Sequence, residues 1–303
     1  MSEQISRRKF FGAAAAVGAV VAGAGLAGCS SGSEQAAAAA KPVILVTSFG
    51  TSFANSRHIT IGAVEDDIRE AFPDYDVRRA FTAQIIIDHV ESDTGRHINN
   101  FEEAIAQCIE DGVKEIVVQP THLTDGAEYS DIKTTFEENA ASFDKAALGE
   151  PLLTTDDDYS KVIDAIAAAM KTYEADDTAI VLMGHGNEGS PSPAYEKLQG
   201  MLEDAGHKSY IVTTVEQEPG FEDAVKAVKK GGYKKAVLRP LMVVAGDHAN
   251  NDMADESDDE SLAGMLKAEG IEVSSVVEGL GQLVDIDEIY VEHVQAAIDT
   301  LGK

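Results

Sequence analysis

Two histidines stand where a buried strand would open into a loop. His185 closes the apolar run Val181-Leu182-Met183-Gly184, and His248 follows Val243-Val244-Ala245-Gly246-Asp247. Gly184 and Gly186 leave the imidazole of His185 uncrowded, and Gly246 does the same ahead of His248. In open α/β sheets, ligands bind at the carboxyl ends of the strands. Two imidazoles in such settings predict one cleft in which both contact a metal or a substrate, because neutral imidazole is a favoured ligand of divalent transition metals. Asp247 or Asp252 is placed to orient the ring of His248 from behind.

The first half of the chain offers a weaker set. His122, in Gln119-Pro120-Thr121-His122-Leu123, reads equally as a polar loop residue and as a residue lining the cleft. Glu128 follows on the same loop or in the first turn of a helix. There it favours the helix dipole, and it also has the chemistry to complete a metal site or to move protons. The turn Ser48-Phe49-Gly50-Thr51-Ser52 is small and polar enough for its amides to hold a carboxylate. Of the eight histidines, His58, His89, His97 and His207 read as surface or satisfied groups, and His293 as packed or solvent-facing on the last helix. No dinucleotide fingerprint, P-loop, nucleophile elbow or zincin motif occurs, and no organic cofactor is expected.

These residues need a scaffold, and the chain supplies an alternating one. Runs 41–49, 75–82 and 113–120 read as strands; 56–72, 98–111 and a stretch near 130–145 read as helices. The order restarts with strands at 178–186, 209–216, 233–248 and 271–281, and with helices at 193–205, 221–232, 257–269 and 284–301. Short β-branched strands alternating with helices imply parallel sheets covered on both faces. The restart predicts an α/β fold of two similar halves, 42–175 and 176–303, each a parallel β-sheet flanked by helices. A cleft between them would suit a flat ligand.

The front of the chain reads as an address. Ser6-Arg7-Arg8-Lys9-Phe10-Phe11 is a twin-arginine export pattern, and Leu26-Ala27-Gly28-Cys29 resembles a lipoprotein cleavage site. Residues 1–28 are therefore expected to be a signal peptide, with lipid on Cys29 and a flexible tether over 29–41. The expected location is the extracytoplasmic side of a membrane, held there by the lipid. Cys108 is the one other cysteine, so no internal disulfide is expected, and its helical setting reads as core filler. A formal charge of −29 excludes nucleic acid as a partner, since phosphate binding needs a basic surface.

Taken together, the chain resembles the anaerobic sirohydrochlorin cobaltochelatases, the CbiK type of class II chelatases. The resemblance runs from about Pro42 to the C-terminus. It rests on Val46-Thr47-Ser48-Phe49-Gly50-Thr51-Ser52, Arg79-Ala80-Phe81-Thr82, Gly126-Ala127-Glu128-Tyr129, Met183-Gly184-His185-Gly186, Pro240 through His248 with Asn251-Asp252-Met253-Ala254, and Gly279-Leu280-Gly281. It implies a chelatase-like fold with four-stranded parallel sheets and a tetrapyrrole in the cleft. It also implies His185 and His248 as ligands of a divalent metal, with Glu128 assisting. The metal is substrate: Co²⁺, with Fe²⁺ or Ni²⁺ as alternatives. Substrate contacts are expected from Ser48, Phe49, Gly50, Thr51 and His122, and from Arg79, whose charge would offset an acidic surface facing a polycarboxylate ring. Typical members work in the cytoplasm, so an exported relative opens two further readings: a haem or metal carrier without catalysis, and a metal-binding lipoprotein without a tetrapyrrole. A homo-oligomer is compatible with all three.

Overall fold

The computed structural model describes residues 40–187 and 191–302. The expected signal peptide, Cys29 and most of the tether lie outside the described residues.

The first half begins with β1 (Val43–Ser48), followed by α1 (Ala54–Ile59), α2 (Ile61–Ala71), β2 (Asp76–Phe81), α3 (Gln84–Thr94) and α4 (Phe101–Glu110). It continues through β3 (Glu115–Pro120), α5 (Ala127–Asn139), β4 (Lys145–Leu148) and α6 (Asp156–Met170). The second half comprises β5 (Thr178–Gly184), α7 (Ala194–Asp204), β6 (Tyr210–Thr214), α8 (Phe221–Gly231), β7 (Lys235–Pro240), α9 (Leu262–Ala268), β8 (Glu272–Ser275) and α10 (Val284–Ile298). All strands are parallel, in two four-stranded sheets ordered β2-β1-β3-β4 and β6-β5-β7-β8. The two halves therefore repeat one topology, and in each the chain order reverses beside the first strand. That reversal opens a crevice at the strand carboxyl ends.

The sheets are buried on both faces, which is why the strands read as continuous apolar runs. Ile44 and Val46 of β1, Val117 of β3, and Ile180 and Leu182 of β5 join a shared core with Val64, Val162, Leu198 and Tyr290. The alternate residues Val43 and Leu45 face a second cluster with Ile105 and Cys108, and Ala179, Val181 and Met183 a third with Val228 and Leu266. Each fully buried Val, Leu or Ile contributes about 1.5–3 kcal/mol. Cys108 is enclosed as expected, and burial pushes its thiol pKa up.

The C-terminal helix ties the layers together. Tyr290 on α10 donates its hydroxyl proton to the Thr121 carbonyl at 2.8 Å, at the end of β3 in the other half. His293 reaches Asp158 of α6 at 3.1 Å, so it packs between elements. Several sequence expectations are corrected here. The helix expected over 56–72 is two, broken at Thr60. The strand expected over 233–248 ends at Pro240, which has no N–H to carry the ladder on. The helix expected near 130–145 starts at Ala127 and stops at Asn139, freeing Lys145–Leu148 to form β4. The helix expected at 257–269 is confined to Leu262–Ala268, where Ser261 Oγ caps Gly264 N–H at 2.9 Å.

Candidate metal centre

His185 is the first residue after β5, and His248 lies eight residues beyond the end of β7. The structure brings them together: their ring centroids are 4.8 Å apart, with the planes at 79°. Both side chains keep about a third of their surface open, at 36% and 37%. Backbone geometry enforces this placement. Gly186 sits at φ 87°, and a side chain there would also press on the backbone of Gln217 at 2.9 Å. Its N–H donates to the Tyr195 hydroxyl at 3.2 Å. The carbonyl of His185 accepts from Glu216 N–H at 2.8 Å, fixing the loop after β5 to the loop after β6.

His248 opens a wide helical turn over Ala249–Met253. Its Nδ1 is 2.6 Å from Asp252 Oδ2. Of the two aspartates expected behind this ring, Asp252 holds it; Asp247 instead accepts from Asn251 Nδ2 at 2.8 Å. His185 has a carboxylate as well, Glu216, whose Oε2 is 3.4 Å from Nδ1. Sequence reading missed Glu216, because only the parallel pairing of Gly184 with Thr214 carries the segment after β6 to the histidine.

The first half contributes the other wall. Phe49, the first residue after β1, is 41% exposed and its ring centroid is 6.3 Å from that of His185. Gly50 adopts φ 99°, and a Cβ there would strike the Phe81 ring at 2.6 Å. Thr51 is buried against Gly246, close to its Oγ1, in the loop that carries His248. Ser56 Oγ of α1 accepts from Ala245 N–H at 3.2 Å, a second clamp on the loop that carries His248. Ser48 is buried, and its Oγ accepts from Thr121 Oγ1 at 2.8 Å, so it braces the loop after β3.

The remaining expected residues are placed less directly. Glu128 lies in the first turn of α5, half-buried, and Gly126, which precedes that helix, lies beside Asn187. Among the described residues, no three His, Cys, Asp or Glu side chains stand close enough to hold a metal; of the three expected donors, His185 and His248 meet. His122 keeps some exposure, yet both ring nitrogens are enclosed and have no hydrogen-bond partner among the described residues. Burial pushes its pKa down to about 4, which keeps the ring neutral near pH 7. Arg79 lies within β2, and its guanidinium grips buried Glu65 through two bonds of 2.6 and 2.8 Å. Arg57 of α1 is the arginine that reaches the loop after β1: its Nη1 donates to the Thr51 and Ser52 carbonyls at 2.7 and 3.2 Å. Burial and the nearby Arg79 charge hold its pKa below the ordinary value.

Comparison with known proteins converges on one family. A family model described as cobalt chelatase (CbiK) matches residues 42–299. A sirohydrochlorin cobaltochelatase of Salmonella typhimurium is 32% identical over 259 residues, covering 86% of this chain and 97% of that protein. The sirohydrochlorin cobaltochelatase CbiKC of Nitratidesulfovibrio vulgaris is 28% identical over 263 residues, with coverages of 86% and 92%. Among solved structures, SirB from Bacillus subtilis with Fe³⁺ superposes with a TM-score of 0.62 at 16% identity, covering 87% of this chain and 98% of that one, a likeness of fold.

Proposed function

The chain belongs to the cobalt chelatase (CbiK) family, and from that premise we propose that it is a sirohydrochlorin cobaltochelatase, an enzyme that inserts Co²⁺ into a tetrapyrrole. The observation that carries the reading is the pair of imidazoles, 4.8 Å apart at the mouth between the two halves. Both turn Nδ1 toward acceptors, which leaves Nε2 of each for a metal.

Insertion strips water from the ion, delivers it to the centre of a nearly planar ring, and removes two pyrrole protons. In this reading His185 and His248 hold Co²⁺ through a small, borderline donor set that can also release it. Fe²⁺ and Ni²⁺ suit the same donors. Phe49 presents an aromatic face to the ring beside His185, and the Ser48–Thr51 turn borders it. Glu128, with no hydrogen bond to another side chain among the described residues and at the start of a helix that adjoins the His185 loop, takes the protons. We also propose that the protein works outside the membrane, tethered by lipid on Cys29. The support is the twin-arginine pattern and the Leu26-Ala27-Gly28-Cys29 sequence. Among the described residues no helix is long and apolar enough to cross a membrane.

Turnover is the test. The protein incubated with sirohydrochlorin and Co²⁺ should change the absorbance of the ring faster than the uncatalysed reaction does. Tight binding of ring or metal with no rate above background would replace the enzyme with a carrier.

A further inference from the structure

At Gly281 the second half meets the first with no side chain between the two backbones. Gly281 lies in the short turn Leu280–Gln282 that follows β8. A β-carbon on it would stand 3.1 Å from Thr60 Cα and 3.2 Å from the Thr60 carbonyl carbon and Cβ. Thr60 is the joint between α1 and α2; it is fully buried, and its hydroxyl donates to the Ser56 carbonyl at 2.6 Å. On its other side the same turn is fastened to the second half. Leu280 N–H donates to the Met242 carbonyl at 2.8 Å, and Gly281 N–H to the Val243 carbonyl at 3.0 Å. Gly279 packs closer still: a β-carbon there would stand 2.3 Å from the Val243 oxygen. Leu280, with no exposure, seats the turn in the shared core.

These contacts make residues 279–281 a wedge between the halves. In front stands α1, whose Arg57 holds the turn after β1 that presents Phe49. Behind lies the segment 242–244 that runs on to His248. Gly281 does not sit at positive φ, so its backbone conformation does not demand glycine; the lack of room does. Packed protein interiors compress little and pass strain on, so a thicker wedge moves its neighbours apart. We propose that Gly281 is a positioning residue that sets the width of the slot between the Phe49 turn and the His248 loop, and so how closely a flat ring is held to the ion. The inference rests on the reading that the cleft takes a tetrapyrrole. Geometry of this kind matters at small scale, since a misplacement of about 1 Å can cost about 10²-fold in rate.

The test adds side chains to the wedge in the intact protein and reads ring and metal separately. Gly281→Ala adds one methyl group, to which Thr60 must give way by a few tenths of an ångström. It should lower kcat/KM for sirohydrochlorin by about three- to tenfold, mostly through KM, while Co²⁺ affinity without the ring stays within about twofold of wild type. Gly281→Val should lose about 10²-fold with the same split. Gly200→Ala, on α7 with open space at its Cα, should change neither quantity. A packing role alone would lower the melting temperature without that split. Wild-type kcat/KM in folded Gly281→Ala and Gly281→Val, or equal losses for ring and metal, would overturn the proposal. If neither variant folds, crystals of the wild type with sirohydrochlorin decide: Thr60 and Gly281 must stay in contact, and their separation would overturn it. A wild-type protein that neither binds nor metallates sirohydrochlorin removes the functional reading instead.

Discussion

The two halves share a strand order but carry different chemistry at corresponding positions. Thr47 pairs with Pro120 in the first sheet as Met183 pairs with Pro240 in the second. Counting from those pairs, Phe49 corresponds to His185, and Glu128 corresponds to His248, each of the latter two lying eight residues past its proline. His122 corresponds to Met242. The second half therefore offers two borderline nitrogen donors, each with a carboxylate near its Nδ1. The first half offers an aromatic face, a carboxylate and an enclosed neutral imidazole at the matching places. In the proposed reading, two halves of one topology divide the labour: one half takes the ion, the other the flat ring and its protons.

Breaking the ion side should have the largest effect. His248→Ala or His185→Ala is expected to reduce Co²⁺ insertion to the uncatalysed rate while leaving the circular dichroism unchanged; full activity in both variants would remove the division of labour. Sharpening the proton side comes next. Glu128→Gln should lower the insertion rate by about 10²–10⁴-fold, the usual range for a proton-transfer group, while Co²⁺ binding without the ring stays near wild type. A parallel loss of metal affinity would move Glu128 to the ion side of the comparison. Phe49→Ala should raise the KM for the tetrapyrrole by about fivefold, equivalent to an aromatic contact near 1 kcal/mol, with little change in Co²⁺ affinity.

The smallest effect concerns the helix that joins the halves. Asp287 on α10 is buried, and that burial, together with nearby Asp67, pushes its pKa up to about 8. The folded protein thus holds a proton there that the unfolded chain releases near pH 4. Stability is fully present below that pH and is lost as pH rises toward 8. Asp287→Asn should flatten the fall in melting temperature over this window and, at pH 9, melt at least about 2 °C above wild type. An equal pH dependence in both proteins would contradict the assignment.

Much of this architecture was legible in the residues, because strands buried on both faces leave dense β-branched runs and the parallel order follows from their alternation with helices. What escaped has physical reasons. β4 is Lys-Ala-Ala-Leu, four residues without a β-branched side chain, and its place comes from pairing with β3. α3 exposes Ile85, which blurs its helical stripe. α6 carries its start signal in Thr155 and Asp158, which cap each other's backbone, but Ala-rich turns dilute its periodicity. The histidine pair was legible because each ring ends an apolar run among glycines. Glu216 was not, since its approach to His185 exists only through the register of β5 with β6. The tie of Arg79 to Glu65 escaped for the complementary reason: the charge is visible in the sequence, whereas its partner sits on another element.

Anomalous scattering at the cobalt edge from crystals soaked in Co²⁺ tests the central claim most directly. A single strong peak about 2.0–2.1 Å, the usual metal–imidazole distance, from Nε2 of both His185 and His248 is the result expected here. A peak on the acidic stretch near Asp255 and Asp258, or one bound by a single imidazole through Nδ1, would contradict it.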